Sequence, residues 1–192
     1  CQKHIALGRF MHECCKIVEL DDGRIVAYMG DDENDQCLYK FVGNEKHNLK
    51  NGTLYVANIE QGKWIPLDFN DSPILQEHFS DQTDVLIHCR KAAELLGGTG
   101  LDRPEDIEVD PFTGDVIIAL TNNKPKGNYH GSLLKIKEQD GKHNALNFQS
   151  ETLISGGSET GFSCPDNLWF DRAGTLWFTS DISGYHMNTV GP

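Results

Sequence analysis

The feature that most limits how this chain can fold is an internal repeat. Residues 104–110 read PEDIEVD and residues 165–171 read PDNLWFD, so both segments begin with proline and an acidic residue. Each continues as a short apolar run and ends in aspartate. A turn glycine, Gly114 or Gly174, then precedes a second apolar run. Repeated hairpins of this kind predict an array of similar β-units.

A looser third copy lies near the start of the chain. His12-Glu13 precedes a strand, and the turn glycine of this copy is Gly23. The leading acids of the three copies are Glu13, Glu105 and Asp166, and the gaps between them leave room for one or two blades of about 40 to 50 residues. Sandwiches and barrels also contain many short strands, but a four-stranded blade repeated around an axis explains the spacing better.

Short runs of β-forming residues recur between turn residues along most of the chain. The predicted strands are 24–29, 38–42, 53–59, 64–69, 106–109, 115–120, 132–137, 168–170 and 175–179. Residues 85–96 instead have apolar side chains at helical spacing, with Asp81 or Thr83 as a cap and Gly97-Gly98 as a stop.

These patterns together predict an all-β fold. We expect a β-propeller formed by a partial set of four-stranded antiparallel blades with one inserted helix. No segment reads as a linker between domains, so residues 1–192 are predicted to form a single domain.

The leading acids of the repeat are the candidate functional residues. The innermost strand of each propeller blade lines a central channel, so equivalent positions in successive blades face one axis. Glu13, Glu105 and Asp166 are expected to meet there, and gathered carboxylates stay ionised when a cation compensates their charge. Oxygen ligands favour calcium, magnesium, manganese or ferric iron, which can activate water for hydrolysis. The competing interpretation is that each acid only caps a turn or a strand entry.

Arg103 is a candidate for binding an anionic substrate. It stands two residues before Glu105, and the intervening Pro104 is expected to keep it extended. A guanidinium beside a metal-binding acid can hold two phosphate oxygens. A salt bridge from Arg103 to Asp102 or Asp106 explains the sequence equally well.

Composition narrows the functional classes. The chain is 38% hydrophobic, which is enough for a core, and its formal net charge of −12 argues against a nucleic-acid surface. No apolar run of about 18 residues is present, so no membrane span is predicted. The six cysteines include no C-x-x-C pair, which argues against a zinc site and a disulfide framework.

Seven segments, in order along nearly the whole chain, resemble the PhoX-type alkaline phosphatases. They are 3–13 (KHIALGRFMHE), 28–32 (YMGDD), 38–42 (LYKFV), 52–57 (GTLYVA), 102–106 (DRPED), 119–123 (ALTNN) and 165–171 (PDNLWFD). The resemblance implies a β-propeller with a central cluster of ferric iron and calcium that hydrolyses phosphate monoesters in the periplasm or as a secreted protein. It implies that Glu13, Glu105 and Asp166 are metal ligands and that Arg103 contacts phosphate.

The resemblance extends less directly to Asp31, Asp32, Asn122 and Asp181. Members of that family also have an earlier segment with a cysteine ligand to iron and a later one with a phosphate-contacting lysine. We therefore expect a fragment with an incomplete metal cluster, whose open propeller edges favour self-association. Two other functions stay open: a calcium-dependent lactonase or other propeller hydrolase, and a non-catalytic propeller with structural calcium.

Overall fold

The computed structural model describes residues 2–182, which are mostly antiparallel β-structure. The strands are β1 (Lys16–Glu19), β2 (Arg24–Gly30), β3 (Asn34–Gln36), β4 (Leu38–Lys46), β5 (Gly52–Asn58), β6 (Lys63–Pro66), β7 (Leu101–Asp102), β8 (Pro104–Val109), β9 (Val116–Leu120), β10 (Ser132–Glu138), β11 (Phe148–Ser155), β12 (Pro165–Phe170) and β13 (Leu176–Ser180). Between β6 and β7 lie the helices α1 (Pro73–His78), α2 (Gln82–Ile87) and α3 (Cys89–Leu95).

The strands form consecutive antiparallel sheets. The first sheet has the order β1-β2-β4-β5-β6, the second has the order β11-β10-β9-β8, and β12 and β13 form a hairpin. The inner strand β8 packs against β1 and β2 on one side and against β12 on the other. Neighbouring sheets whose inner strands lie side by side are propeller blades, so the predicted all-β, partial propeller fold is confirmed.

Strand β2 is apolar without alternation because both of its faces are buried. Val26 and Tyr28 point into the core between the first and second blades. Ala27 and Met29 point the other way, into a core shared with α1, α2 and α3. Strand β9 is likewise buried on both faces, between the first blade and the β12–β13 hairpin. A strand between two packed layers has no polar face, so alternation disappears.

The prediction of a single inserted helix is wrong, because the segment between β6 and β7 forms three short helices. His88 has non-helical dihedral angles, φ −110° and ψ 34°, and separates α2 from α3. Asp81 caps α2 as expected, since its Oδ1 accepts from the Asp84 N–H at 2.8 Å. The unpredicted helix α1 is capped by Ser72 and starts with proline.

The prediction also misses β11, an outer strand whose residues after Phe148 are largely exposed. An exposed edge strand carries little apolar pattern, so its sequence gives a weak signal. No helix within residues 2–182 has the length and apolar character needed to cross a bilayer.

Candidate metal centre

The repeat in the sequence is also a repeat of backbone geometry. The β8–β9 ladder shifts its register just after Pro104, and the β12–β13 ladder makes the same shift just after Pro165. Such bulges re-aim side chains and occur frequently beside active sites. Glu105 and Asp166 lie within the two bulges. The two leading acids are therefore presented by the same irregularity on neighbouring inner strands.

The residue before each proline adopts a left-handed conformation. Arg103 has φ 55° and Cys164 has φ 52°, which costs about 1 to 3 kcal/mol for a residue with a side chain. The Arg103 carbonyl accepts from the Thr121 N–H at 3.2 Å, and the Cys164 carbonyl accepts from the Asp181 N–H at 2.9 Å. The expectation that Arg103 is extended is therefore wrong, and Thr121 and Asp181 hold equivalent positions in the two hairpins.

Glu105 and Asp166 form a carboxyl pair. Glu105 is only 4% exposed, whereas Asp166 is partly buried. Burial raises the pKa of Glu105 to about 8, a hydrogen bond with Asp166 adds to the rise, and Arg103 opposes it. Two carboxylates in one site repel each other unless a proton or a cation lies between them. The pair is thus suited to hold a positive charge.

The Arg103 guanidinium is held by two acids, Asp32 and Glu105. Its Nε lies 2.9 Å from Asp32 Oδ1, its Nη2 donates to Asp32 Oδ2 at 3.0 Å, and Nη2 lies 2.6 Å from Glu105 Oε1. Arg103 therefore pairs with Asp32 and Glu105, and not with Asp102 or Asp106, the two partners that the sequence left open. The two-sided clamp fixes the guanidinium plane beside the carboxyl pair.

The end of β2 positions Asp32. A Cβ atom on Gly30 would lie 2.1 Å from the Pro104 carbonyl oxygen, so only glycine permits this approach of the two blades. Asp31 is fully buried, and Arg90 of α3 donates to it twice, from Nε to Oδ2 at 2.7 Å and from Nη2 to Oδ1 at 2.5 Å. The helical insertion thereby anchors the segment that holds Arg103.

Glu13 lies outside this cluster of contacts. It is exposed, and within residues 2–182 no hydrogen bond or ion pair joins it to Glu105 or Asp166. Those two acids stand four residues before the ends of their inner strands, whereas Glu13 stands six residues before the end of β1. A bridge between His12 and Asp31 nevertheless brings the adjoining backbone to the end of β2. The role of Glu13 as a metal ligand stays a prediction.

The side chains of the cluster are compatible with a hard cation. Glu105, Asp166 and Asp32 offer only carboxylate oxygens, the donors that calcium and ferric iron prefer. Asp32 Oδ1 is buried and has no well-formed hydrogen bond in the described part of the chain. Over the same residues, no group of three or more histidine, cysteine, aspartate or glutamate side chains has a metal-binding arrangement. Within these residues the cluster alone therefore does not form a complete metal site.

The remaining polar residues singled out from the sequence surround this cluster. Asn122 is buried, and its Nδ2 lies 3.6 Å from the Cys164 sulfur. Burial raises the pKa of the Cys164 thiol, which Asp181 also raises, whereas Asn122 and Arg103 lower it.

A family model for alkaline phosphatase PhoX matches residues 1–191. The chain belongs to the PhoX alkaline phosphatase family. The family membership predicted from the sequence is thereby confirmed.

One solved PhoX structure is similar to this chain over almost its whole length. It is Pseudomonas fluorescens PhoX in complex with vanadate, a transition state analogue, with 34% sequence identity and a TM-score of 0.88. The match covers 96% of this chain and 41% of that one, so the chain spans less than half the length of this PhoX relative. A search of curated proteins gave no match.

No sequence pattern indicated Arg90, which holds Asp31 beside the cluster. Arg90 lies 59 residues from its partner Asp31, in an inserted helix that no repeat position marks. Its side chain is 38% exposed, so no burial pattern distinguishes it. The one sequence signal was the match of Asp31-Asp32 to the family, which pointed to the acids and not to the arginine.

Proposed function

We propose that this chain carries metal-binding and phosphate-binding residues of a phosphomonoesterase. In this proposal Glu13, Glu105 and Asp166 bind calcium and ferric iron, and Arg103 binds phosphate oxygens. The observation that carries it is the pair of matched bulges, which bring two carboxyls and one arginine together on neighbouring inner strands. Membership of the PhoX family supports it, as does the vanadate complex of the solved relative.

Each residue has a distinct role in this proposal. Glu105 and Asp166 are held too close together to be favourable without a cation, so they supply binding energy for one. When bound, hard cations act as Lewis acids toward phosphoryl oxygens and lower the pKa of a bound water. Arg103 neutralises phosphate charge, and Asp32 keeps its guanidinium from rotating away.

The central test is a pair of matched substitutions on strand β8. Glu105→Gln removes a charge from the carboxyl pair, and we expect kcat for phosphate release from 4-nitrophenyl phosphate to fall at least about 100-fold. Glu108→Gln is the control, because Glu108 pairs with Lys16 at 2.6 Å, away from the centre. Its kcat should stay within a few-fold of wild type. Wild-type turnover in Glu105→Gln would refute the assignment.

Metal binding is tested separately from turnover. Chelation of calcium should lower the melting temperature of the wild-type protein, because a ligand that binds only the native state stabilises it. The shift should be smaller in Glu105→Gln and unchanged in Glu108→Gln. Equal shifts in all three proteins would place the metal elsewhere in the molecule.

The same assays separate the competing functions. Opening of a lactone ring without phosphate release would favour a propeller lactonase. A calcium-dependent rise in melting temperature without turnover of either substrate would favour a structural calcium site.

Location and assembly complete the proposal. A periplasmic or secreted location is proposed from the family resemblance, and cell fractionation tests it. Self-association through open propeller edges is proposed from the strand arrangement, and sedimentation at several protein concentrations tests it.

A further inference from the structure

A basic pocket lies between the first segment of the chain and the inserted helices. It has a volume of about 440 Å³, and four of its residues carry or can carry positive charge: Arg9, His88, Arg90 and Lys91. Within the described part of the chain, no acidic residue lines it. The whole chain has a net charge of −12, whereas the residues that line this pocket are basic. The pocket therefore favours an anion.

Among residues 2–182, Arg9 is the one cation of this pocket that pairs with no acid. Lys91 pairs with Glu94 at 3.0 Å, His88 with Asp84 at 2.9 Å, and Arg90 is held by Asp31. Arg9 is exposed, and its guanidinium forms no ion pair within residues 2–182. A ligand anion would therefore meet Arg9 without competition from a carboxylate of the described residues.

Part of the pocket lining is apolar. Met11 and Ile87 belong to it and are 51% and 39% exposed, which leaves apolar surface available to a ligand. Phe10 also lines the pocket and is fixed by stacking on His12 and Tyr39, with ring centroids 3.7 Å and 4.3 Å apart. Large apolar side chains beside a free arginine fit an organic group that carries a negative charge.

A short segment, residues 31–32, connects the pocket with the candidate metal centre. The Met11 N–H donates to Asp31 Oδ1 at 3.1 Å, and the Met11 carbonyl accepts from the Asp32 N–H at 3.0 Å. Asp32 in turn clamps Arg103. Residues 31 and 32 therefore contact both the pocket lining, at Met11 and Arg90, and Arg103.

We infer that the pocket is a specificity subsite that binds the organic part of the substrate. It would favour phosphate monoesters whose leaving group is apolar or aromatic and carries a second anionic group. Arg9 would bind that anion, and Met11 and Ile87 would contact the apolar part. The inference rests on the proposed phosphomonoesterase function.

The kinetic test compares phenyl phosphate with 4-carboxyphenyl phosphate. Wild type should have a higher kcat/KM for the carboxylated ester. In Arg9→Gln the ratio of the two kcat/KM values should fall about 10- to 150-fold, the range expected for loss of a charge-assisted hydrogen bond. Arg172→Gln is the matched control, because Arg172 is exposed in the β12–β13 turn and should leave the ratio unchanged.

A binding test without turnover separates failure of the subsite from failure of the function. Phenylphosphonate and 4-carboxyphenylphosphonate, which are not hydrolysed, are titrated calorimetrically into the same three proteins. Tighter binding of the carboxylated compound that disappears only in Arg9→Gln upholds the subsite, even if no ester is turned over. If all three proteins hydrolyse both esters and share the same ratio of kcat/KM values, the subsite is refuted but the phosphomonoesterase function is not. Absence of any carboxyl-dependent binding overturns it as well.

Discussion

Glu138 and Glu105 are buried to the same degree, with 3% and 4% of their surface exposed, but their surroundings differ. Glu138 lies between the first two blades and is surrounded by donors. Lys40 Nζ donates to its Oε1 at 2.9 Å, Tyr28 Oη donates at 2.7 Å, and Trp64 Nε1 donates at 3.1 Å. Its charge is thus balanced inside the protein.

Within residues 2–182, the cation paired with Glu105 is Arg103, which Glu105 shares with Asp32. The carboxyl of Asp166 also lies beside Glu105 and repels it when both are ionised. The comparison teaches that burial alone does not identify a functional acid. The charge of a structural acid such as Glu138 is compensated by hydrogen-bond donors of the protein. The charge of a candidate ligand such as Glu105 is compensated only in part, which leaves it available for a cation.

The largest effect expected from this comparison is the loss of the Glu138 carboxylate. Glu138→Ala leaves Lys40, which has a fully buried side chain, without its counter-ion. Breaking a buried ion pair from one side costs about 3 to 5 kcal/mol of unfolding free energy. Chemical denaturation measures this loss. Glu151→Ala, which removes the exposed partner of Lys135, should cost at most about 1 kcal/mol. Equal losses of unfolding free energy in Glu138→Ala and Glu151→Ala would show that the buried ion pair stabilises the protein no more than the exposed one.

A double variant of Glu138 and Lys40 tests whether the stability loss comes from the unpaired charge of Lys40. Glu138→Gln keeps an acceptor for Tyr28 and Trp64 but leaves Lys40 uncompensated, so we expect a loss of about 2 to 3 kcal/mol. Adding Lys40→Met removes the stranded charge, and the double variant should regain about 1 kcal/mol or more. A double variant less stable than Glu138→Gln would show that Lys40 stabilises the fold without its counter-ion.

The pH dependence of stability tests the same pair. Burial lowers the pKa of Lys40 from 10.5 to about 8, although Glu138 opposes the change. Between these values the unfolded chain binds a proton that the native protein does not, so the contribution of Lys40 to stability increases as the pH rises. The unfolding free energy of wild type minus that of Lys40→Met should therefore increase from pH 8 to 10.5, by on the order of 1 to 3 kcal/mol. A flat or falling difference contradicts this.

The sequence predicted that Glu105 and Asp166 lie close together because they occupy the same position in two copies of a local repeat. The proline, the acid and the turn glycine recur at nearly the same spacing, and the two bulges follow from that local pattern. The likeness breaks down for Glu13, since the first hairpin lacks the proline and the acid stands two residues farther from the end of its strand. A loose copy specifies a hairpin but not a side-chain position.

The buried ion pair could not be predicted from the sequence. Lys40 and Glu138 lie 98 residues apart, and each sits in a strand where a charged residue would normally face solvent. The same holds for Asp32 and Arg103, which are 71 residues apart. Such contacts depend on how the blades pack, and hydrophobic periodicity carries no information about that packing.

The smallest expected change in stability is at Glu105. In the absence of metal and above pH 8, where Glu105 is ionised, Glu105→Gln relieves the repulsion with Asp166 and removes one of the two ion pairs of Arg103, which keeps Asp32. These effects oppose each other, so the unfolding free energy in chelator should stay within about 1 kcal/mol of wild type. Glu138→Gln, the same substitution at equal burial, is the internal control and should lose clearly more. A loss at Glu105 as large as that at Glu138 would mean that its carboxylate is held for stability, and the argument that it is kept for a cation would fail.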